Sequence, residues 1–262
     1  RQRALLDAGE TGALAHARAR PPELEGRAVA TALAMAARAG CRPYLVHLST
    51  TDALAGVAAA RDRGQAVIAE TCPHYLFFDE SAYARPFAAA APFVMSPPLR
   101  TPEHGAALRA ALADGAIDVV ATDHCAFSRA QKARGRDDFT RIPNGVAGVE
   151  QRLRLLHTLA REDGLLTPAR WVELVATAPA RAFGLYPRKG SLAVGADADL
   201  VLWDPDATGT LAAATQQHAG DHTVYEGLPV RGRVVRVWLR GDVVVAGGEV
   251  TAVAGQGRFL GA

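Results

Sequence analysis

Cysteine is scarce in this sequence of 262 residues: only Cys41, Cys72 and Cys125 occur, widely spaced. Three scattered thiols cannot build a disulfide framework, so a reducing, cytoplasmic setting is expected. No apolar run approaches the ~20 residues that a membrane span needs. No signal-like segment opens the chain, and the first residue is Arg1 rather than Met, which suggests a start inside a longer gene product. Charge of one sign is not in excess: Lys+Arg is 29 and Asp+Glu 27, a net +2, with no basic block. Neither nucleic acid nor a membrane is therefore an expected partner. Internal repeats and low-complexity linkers are also missing. What is there is a 49% hydrophobic, 21% charged composition. That excludes a disordered or fibrous chain and can bury a sizeable core. The length allows one or two domains.

Residues 1–22 read as polar and irregular. Residues 23–40 read as a helix stopped by Gly40, and 44–46 as a short buried strand. A second helix is expected over 51–63, capped by Thr51 or Asp52 and ended by Gly64. A strand follows at 66–69, a helix at 101–113 and a third strand at 117–121, with two more helices at 149–162 and 168–183. This alternation predicts an α/β fold with a parallel sheet. After Gly190 the pattern changes to short strands, over 198–204 and 233–250, the latter with turns at Arg240-Gly241-Asp242 and Gly247-Gly248. A boundary is expected near 185–190, with a small β portion beyond it. Three strand–helix units fall short of the eight, in ~250 residues, of a closed (β/α)8 barrel. Half a barrel and a small open sheet both fit the periodicity.

Two positions stand out chemically. His47 ends the apolar strand Tyr44-Leu45-Val46, and Asp123 ends Ile117-Asp118-Val119-Val120-Ala121-Thr122. In parallel α/β architectures, polar residues at carboxyl ends of strands face the active site. A carboxylate leaving a buried strand is costly unless it meets a metal or a strong donor. A lone hydrogen-bonded histidine and a loop salt bridge are the plainer alternatives, but the pair favours a metal site. His124 and Cys125 read as structural neighbours of such a site. Glu70 or His74 could reach the same face, although a rigid turn at Cys72-Pro73-His74-Tyr75 is the simpler reading. Met95-Ser96-Pro97-Pro98 is a stiff loop and Pro143-Asn144-Gly145 a glycine-containing one. Walker and dinucleotide patterns are absent.

Five strings in register carry a resemblance: ETCPHYL (70–76), MSPPLR (95–100), IDVVATDHCAF (117–127), IPNGVAGVE (142–150) and GLYPRKGSLAVGADADLVLWDP (184–205). Their order resembles that of hydantoinases and dihydropyrimidinases, within the amidohydrolase superfamily. The resemblance covers nearly the whole chain. It implies the second half of a metal-dependent (β/α)8 TIM barrel over residues 1–188, and part of a flanking β-sandwich over 189–262. It also implies two divalent metals, zinc with manganese or cobalt as alternatives. In the family these are held by a His-x-His pair, a carboxylated lysine, two later histidines and an aspartate. The second later histidine maps to His47 and the aspartate to Asp123. The other ligands map before Arg1, and no His-x-His occurs in this sequence. The family's substrate-holding serine and asparagine map to Ser96 and Asn144. Ala126 and Ala147 stand where the family usually has proline, which loosens each loop by ~0.4–1 kcal/mol.

The implied reaction is hydrolysis of the ring amide C–N bond of 5-substituted hydantoins or dihydropyrimidines to N-carbamoyl amino acids. Asp123 would be the catalytic proton carrier. The chain taken alone is expected to be incomplete and inactive. The alternatives are an allantoinase- or dihydroorotase-like amidohydrolase, and a non-catalytic remnant or interaction protein of the same fold. The full-length protein is expected to form a dimer or tetramer and to act on a small cyclic amide.

Overall fold

A computed structural model describes residues 1–162 and 164–260. The chain divides into two compact units: residues 1–152 with 211–228, and residues 153–210 with 229–262.

The first unit is α/β, as the alternation implies. Its sheet is parallel, in the order β1 (Tyr44–Leu45), β2 (Ile68–Thr71), β3 (Val119–Val120). β2 lies in the middle and all four of its residues are buried. The helix Pro22–Ala39 leads into β1. It has proline in its first turn and ends on Gly40 in the left-handed region, φ 63°. Val29, Leu33 and Ala36, spaced four and three apart, form its buried stripe. They meet Ala53, Val57 and Ala60 of the helix Thr51–Asp62, and Leu45, Leu48, Val67 and Ala69 from the sheet side. A Cβ on Gly56 would come within 3.3 Å of Val29, so glycine sets the spacing of the two helices. Truncating Leu33, 3% exposed, to alanine would cost about 2–5 kcal/mol.

Three local expectations need correction. The cap of Thr51–Asp62 is Thr50, whose side chain accepts from Ala53 N at 3.2 Å. Residues 1–22 are not irregular: helices Gln2–Asp7 and Ala13–Arg18 form there, the second burying Ala13, Ala15, His16 and Ala17. β2 runs two residues later than 66–69, because Glu70 and Thr71 find partners inside: the Tyr44 hydroxyl for Glu70, and the Leu48 carbonyl, 2.7 Å from Thr71 Oγ1.

The second unit combines helices with an antiparallel sheet of β4 (Leu200–Thr210), β5 (Pro229–Leu239), β6 (Asp242–Ala246) and β7 (Glu249–Val250). Its hairpin turns are those expected: Arg240 and Gly241 have φ 51° and 90°, Gly247 and Gly248 φ 59° and 91°. The expected boundary at 188/189 falls inside this unit. The reason is packing: helix Arg152–Glu162 is tied to β5 by Arg154 Nε on the Gly232 carbonyl (2.9 Å) and by Arg231 N on Thr158 Oγ1 (2.9 Å). His157, Trp171 and Trp203 pack ring against ring, with centroids 5.0–5.2 Å apart. The helical run from Pro168 to Ala182 includes a π segment, Glu173–Thr177, just before Pro179, whose missing N–H an α ladder could not use.

All three cysteines are free thiols. Among the described residues no helix is long and apolar enough to cross a membrane.

Candidate functional site

The carboxyl ends of β1, β2 and β3 bring the chemistry together. β1 runs through Val46 into His47, whose backbone is left-handed at φ 45°. β3 runs through Ala121 and Thr122 into Asp123, left-handed at φ 44°. Among the described residues only one other non-glycine residue, Arg240, has positive φ. Such backbone costs roughly 1–3 kcal/mol and persists where surroundings dictate it.

Those surroundings are visible. Past His47, Leu48 N donates to the Glu70 carbonyl (2.7 Å). Ser49 N donates to Glu25 Oε1 (2.7 Å), and buried Arg100 donates both to Ser49 Oγ (3.1 Å) and to Glu25 Oε2 (3.0 Å). Past β3, Ala121 N donates to the Thr71 carbonyl (3.0 Å) and Arg152 to the Val120 carbonyl (3.0 Å). The loop after Asp123 runs beside a second loop: Cys125 N donates to the Val146 carbonyl (2.9 Å), and His124 Nδ1 accepts from Gly148 N and Val149 N. His124 is thus held as a structural neighbour, as its position suggested.

Glu70 sits between the two strand ends. Burial pushes its carboxyl up. The Tyr44 hydroxyl, the His47 backbone N–H and the His47 ring push it down, and the charge of Asp123 pushes it up again. One carboxyl group therefore feels both His47 and Asp123. Among the described residues the Asp123 carboxylate has no hydrogen-bond partner, and the residue is exposed. His74 is fully buried, and among the described residues neither ring nitrogen has a hydrogen-bond partner; burial, then the charge of His47, lowers its pKa to about 3.

Ser96 and Asn144 meet directly. Ser96 Oγ donates to Asn144 Oδ1 at 3.0 Å, and Asn144 Nδ2 donates to the Ile142 carbonyl at 3.2 Å. Two buried basic groups hold the loops behind them. His16 Nε2 lies 2.8 Å from the Met95 carbonyl, and its Nδ1 lies 3.0 Å from Arg20. Burial, then Arg20, lowers the His16 pKa to about 4, so the ring is neutral. Lys132, 1% exposed, donates to the carbonyls of Val94 (2.7 Å), Pro143 (2.7 Å) and Gly145 (2.8 Å). Sequence reading passed over Lys132 and His16, and gave Glu70 too little weight. A carboxylate inside an apolar strand was the available signal for Glu70.

The segment 211–228, expected within a β portion, belongs to the first unit. His218 packs edge-on against His124 with ring centroids 5.5 Å apart, and Glu150 Oε1 accepts from Gln217 N and His218 N. As donors for a metal, the strand ends offer His47 and Asp123. Among the described residues no group of three or more His, Cys, Asp or Glu side chains could hold an ion.

Known proteins resemble this chain over nearly its whole length. The sequence profile described as amidohydrolase family matches residues 94–244. The D-hydantoinase of Streptomyces coelicolor is 45% identical over 97% of this chain and 54% of its own. That of Ralstonia pickettii is 41% identical over 96% of this chain and 55% of its own. Among solved structures, the dihydropyrimidinase of Brevibacillus agri superposes with a TM-score of 0.97 at 39% identity, covering 99% of this chain and 56% of that one. The L-hydantoinase of Arthrobacter aurescens superposes at 0.89 with 32% identity, over 96% and 55%. The chain spans about half the length of the curated relatives it matches.

Proposed function

The chain belongs to the amidohydrolase family, and on that premise we propose that it supplies one part of a cyclic amidohydrolase of the hydantoinase or dihydropyrimidinase kind. The reaction is hydrolysis of the ring amide C–N bond of a 5-substituted hydantoin or a dihydropyrimidine, yielding an N-carbamoyl amino acid. The observation that carries this reading is the placement of His47 and Asp123, both left-handed, just past the carboxyl ends of the two strands that flank β2. Likeness to D-hydantoinases over nearly the whole chain supports the substrate class.

Asp123 accepts a proton from the water that attacks the ring carbonyl and returns it to the leaving nitrogen. Its exposed carboxylate, which has no hydrogen-bond partner among the described residues, suits that exchange. Ser96 and Asn144 hold the ring: a cyclic diamide alternates N–H and C=O groups, and a primary amide can answer both.

The family is generally metal-dependent. A divalent cation bound at the strand ends would polarise the ring carbonyl as a Lewis acid. His47 and Asp123 are the donors this chain would give, and imidazole with carboxylate suits zinc, manganese or cobalt. A catalytic zinc takes about three protein groups, so the further donors, for one ion or for two, would come from outside residues 1–262. By ancestry, residues 1–188 are the barrel half and 189–262 the β-sandwich portion. The whole protein is a dimer or tetramer on the same reading.

The alternative reading is a non-catalytic remnant or interaction protein of the same fold. A ligand titration separates the readings. A 5-substituted hydantoin or dihydrouracil, followed by NMR, is expected to shift the amides of Ser96 and Asn144. Allantoin or dihydroorotate shifting them instead would reassign the substrate, and no response to any of the four would favour the interaction protein.

A further inference from the structure

Lys132 ends the short helix Arg129–Lys132, which opens with a capping box between Ser128 and Gln131. Its ammonium reaches carbonyls on two separate segments: Val94, two residues before Ser96, and Pro143 and Gly145, which flank Asn144. The Val94 carbonyl is shared, because Gly145 N also donates to it at 3.0 Å. Among the described residues no carboxylate pairs with Lys132. The Phe127 ring lies 5.5 Å from the ammonium and shields it. Burying an unpaired cation is costly. Three carbonyl oxygens at hydrogen-bond distance match the three N–H groups of an ammonium. A neutral amine has two N–H groups and a lone pair, so one of the three carbonyls would then face the lone pair.

We propose that Lys132 is a positioning residue for the Ser96–Asn144 pair: its ammonium clamps the two loops that carry them, and loss of its proton releases the clamp. The inference rests on the reading of that pair as the substrate-holding groups, but the clamp itself can be measured without substrate. Burial lowers the Lys132 pKa to about 7, with Cys125 opposing, so the release falls within an accessible range. The titratable and charged groups around it are Cys125 from the loop after β3, His16 from helix Ala13–Arg18, and Arg129 on its own helix. His16 stays neutral here, since its pKa lies near 4.

The test is amide hydrogen exchange on residues 1–262, expressed as protection factors so that intrinsic pH effects are removed. Lys132→Met is expected to lower protection at the Gly145 amide and across 94–96 and 142–146 by about tenfold, the worth of one hydrogen bond. The amides of β2 should keep theirs. In the unmutated chain the same amides should lose protection as pH rises through about 7, and Lys132→Arg, charged throughout, should abolish that pH dependence. The unmutated pH series stands even if a variant fails to fold. Unchanged protection at Gly145 in both arms, or an equal loss at β2 and at the loops, would overturn the clamp. A hydantoin that shifts no loop amide would overturn the substrate reading and leave the clamp standing.

Discussion

His47 and Asp123 hold the same left-handed backbone, φ 45° and 44°, at the ends of the two strands that flank β2. L-residues pay for that conformation and glycine does not. His47→Gly is therefore expected to be about 1 kcal/mol more stable than His47→Ala, the reverse of the order at a helical site. Urea midpoints of the two variants decide it. Alanine matching or exceeding glycine would mean that the turn is not left-handed in solution.

Purified residues 1–262 should release no N-carbamoyl amino acid from a substituted hydantoin, with zinc, manganese or cobalt added. Among the described residues no group of three or more His, Cys, Asp or Glu side chains could hold an ion. Chelator-sensitive product in a chromatographic assay would mean that a group described above as structural moves in to ligate.

Ser96→Ala and Asn144→Ala should each weaken hydantoin binding by about tenfold. Because the two side chains share one hydrogen bond of 3.0 Å, the double variant should lose less than the product of the two. Strict multiplicativity in a binding titration would show that they act independently.

Acid should weaken the fold before carboxylates titrate. In the folded chain His16 and His74 have pKa values of about 4 and 3, against 6.5 when free. As pH falls below about 6.5 the unfolded chain takes up protons that the buried rings refuse. Stability is then complete above 6.5 and drains away toward 4, by at most ~1.4 kcal/mol per pH unit for each ring. His74→Phe should remove one proton's share of that slope. Urea unfolding across this range checks it, and an unaltered slope would count against a buried neutral His74.

Gly232→Ala should unfold the second unit at markedly lower denaturant, costing more than ~2 kcal/mol. The residue has φ 82°, and a Cβ there would lie 2.2 Å from the Trp203 ring and 2.7 Å from His157 Nδ1. Tryptophan fluorescence during unfolding reports it directly. An unchanged midpoint would mean that Trp203 lies elsewhere in solution.

The legible parts of this structure were those written locally. An apolar strand followed by a metal-type side chain marked His47 and Asp123, and the glycine turns marked the β5–β6–β7 meander. The parts that were missed depend on partners distant in sequence. Glu70 extends β2 because the Tyr44 hydroxyl, 26 residues earlier, donates to its carboxylate. Lys132 reads as an ordinary surface lysine until the Val94, Pro143 and Gly145 carbonyls surround it. Helix Ala13–Arg18 looked irregular because its buried face is mostly alanine, too weakly apolar to stand out. The division at 188/189 followed a change of pattern, whereas the compact units follow which helices lie on the antiparallel sheet.

The chain passes from one compact unit to the other after residues 152, 210 and 228. During synthesis, therefore, neither unit can close as soon as its first stretch emerges. The first must wait for the segment that brings Tyr225 to its fully buried place, and the second for β5 to join β4. A nascent chain halted anywhere between residues 153 and 228 would hold two unfinished bodies at once, each exposing surface meant for later sequence. Gene designs that trim this protein by a single cut inherit the same problem. An intact first unit requires residues 1–152 and 211–228 together, and joining the ends to cut elsewhere does not help, because the four stretches alternate between the units around the closed ring as well.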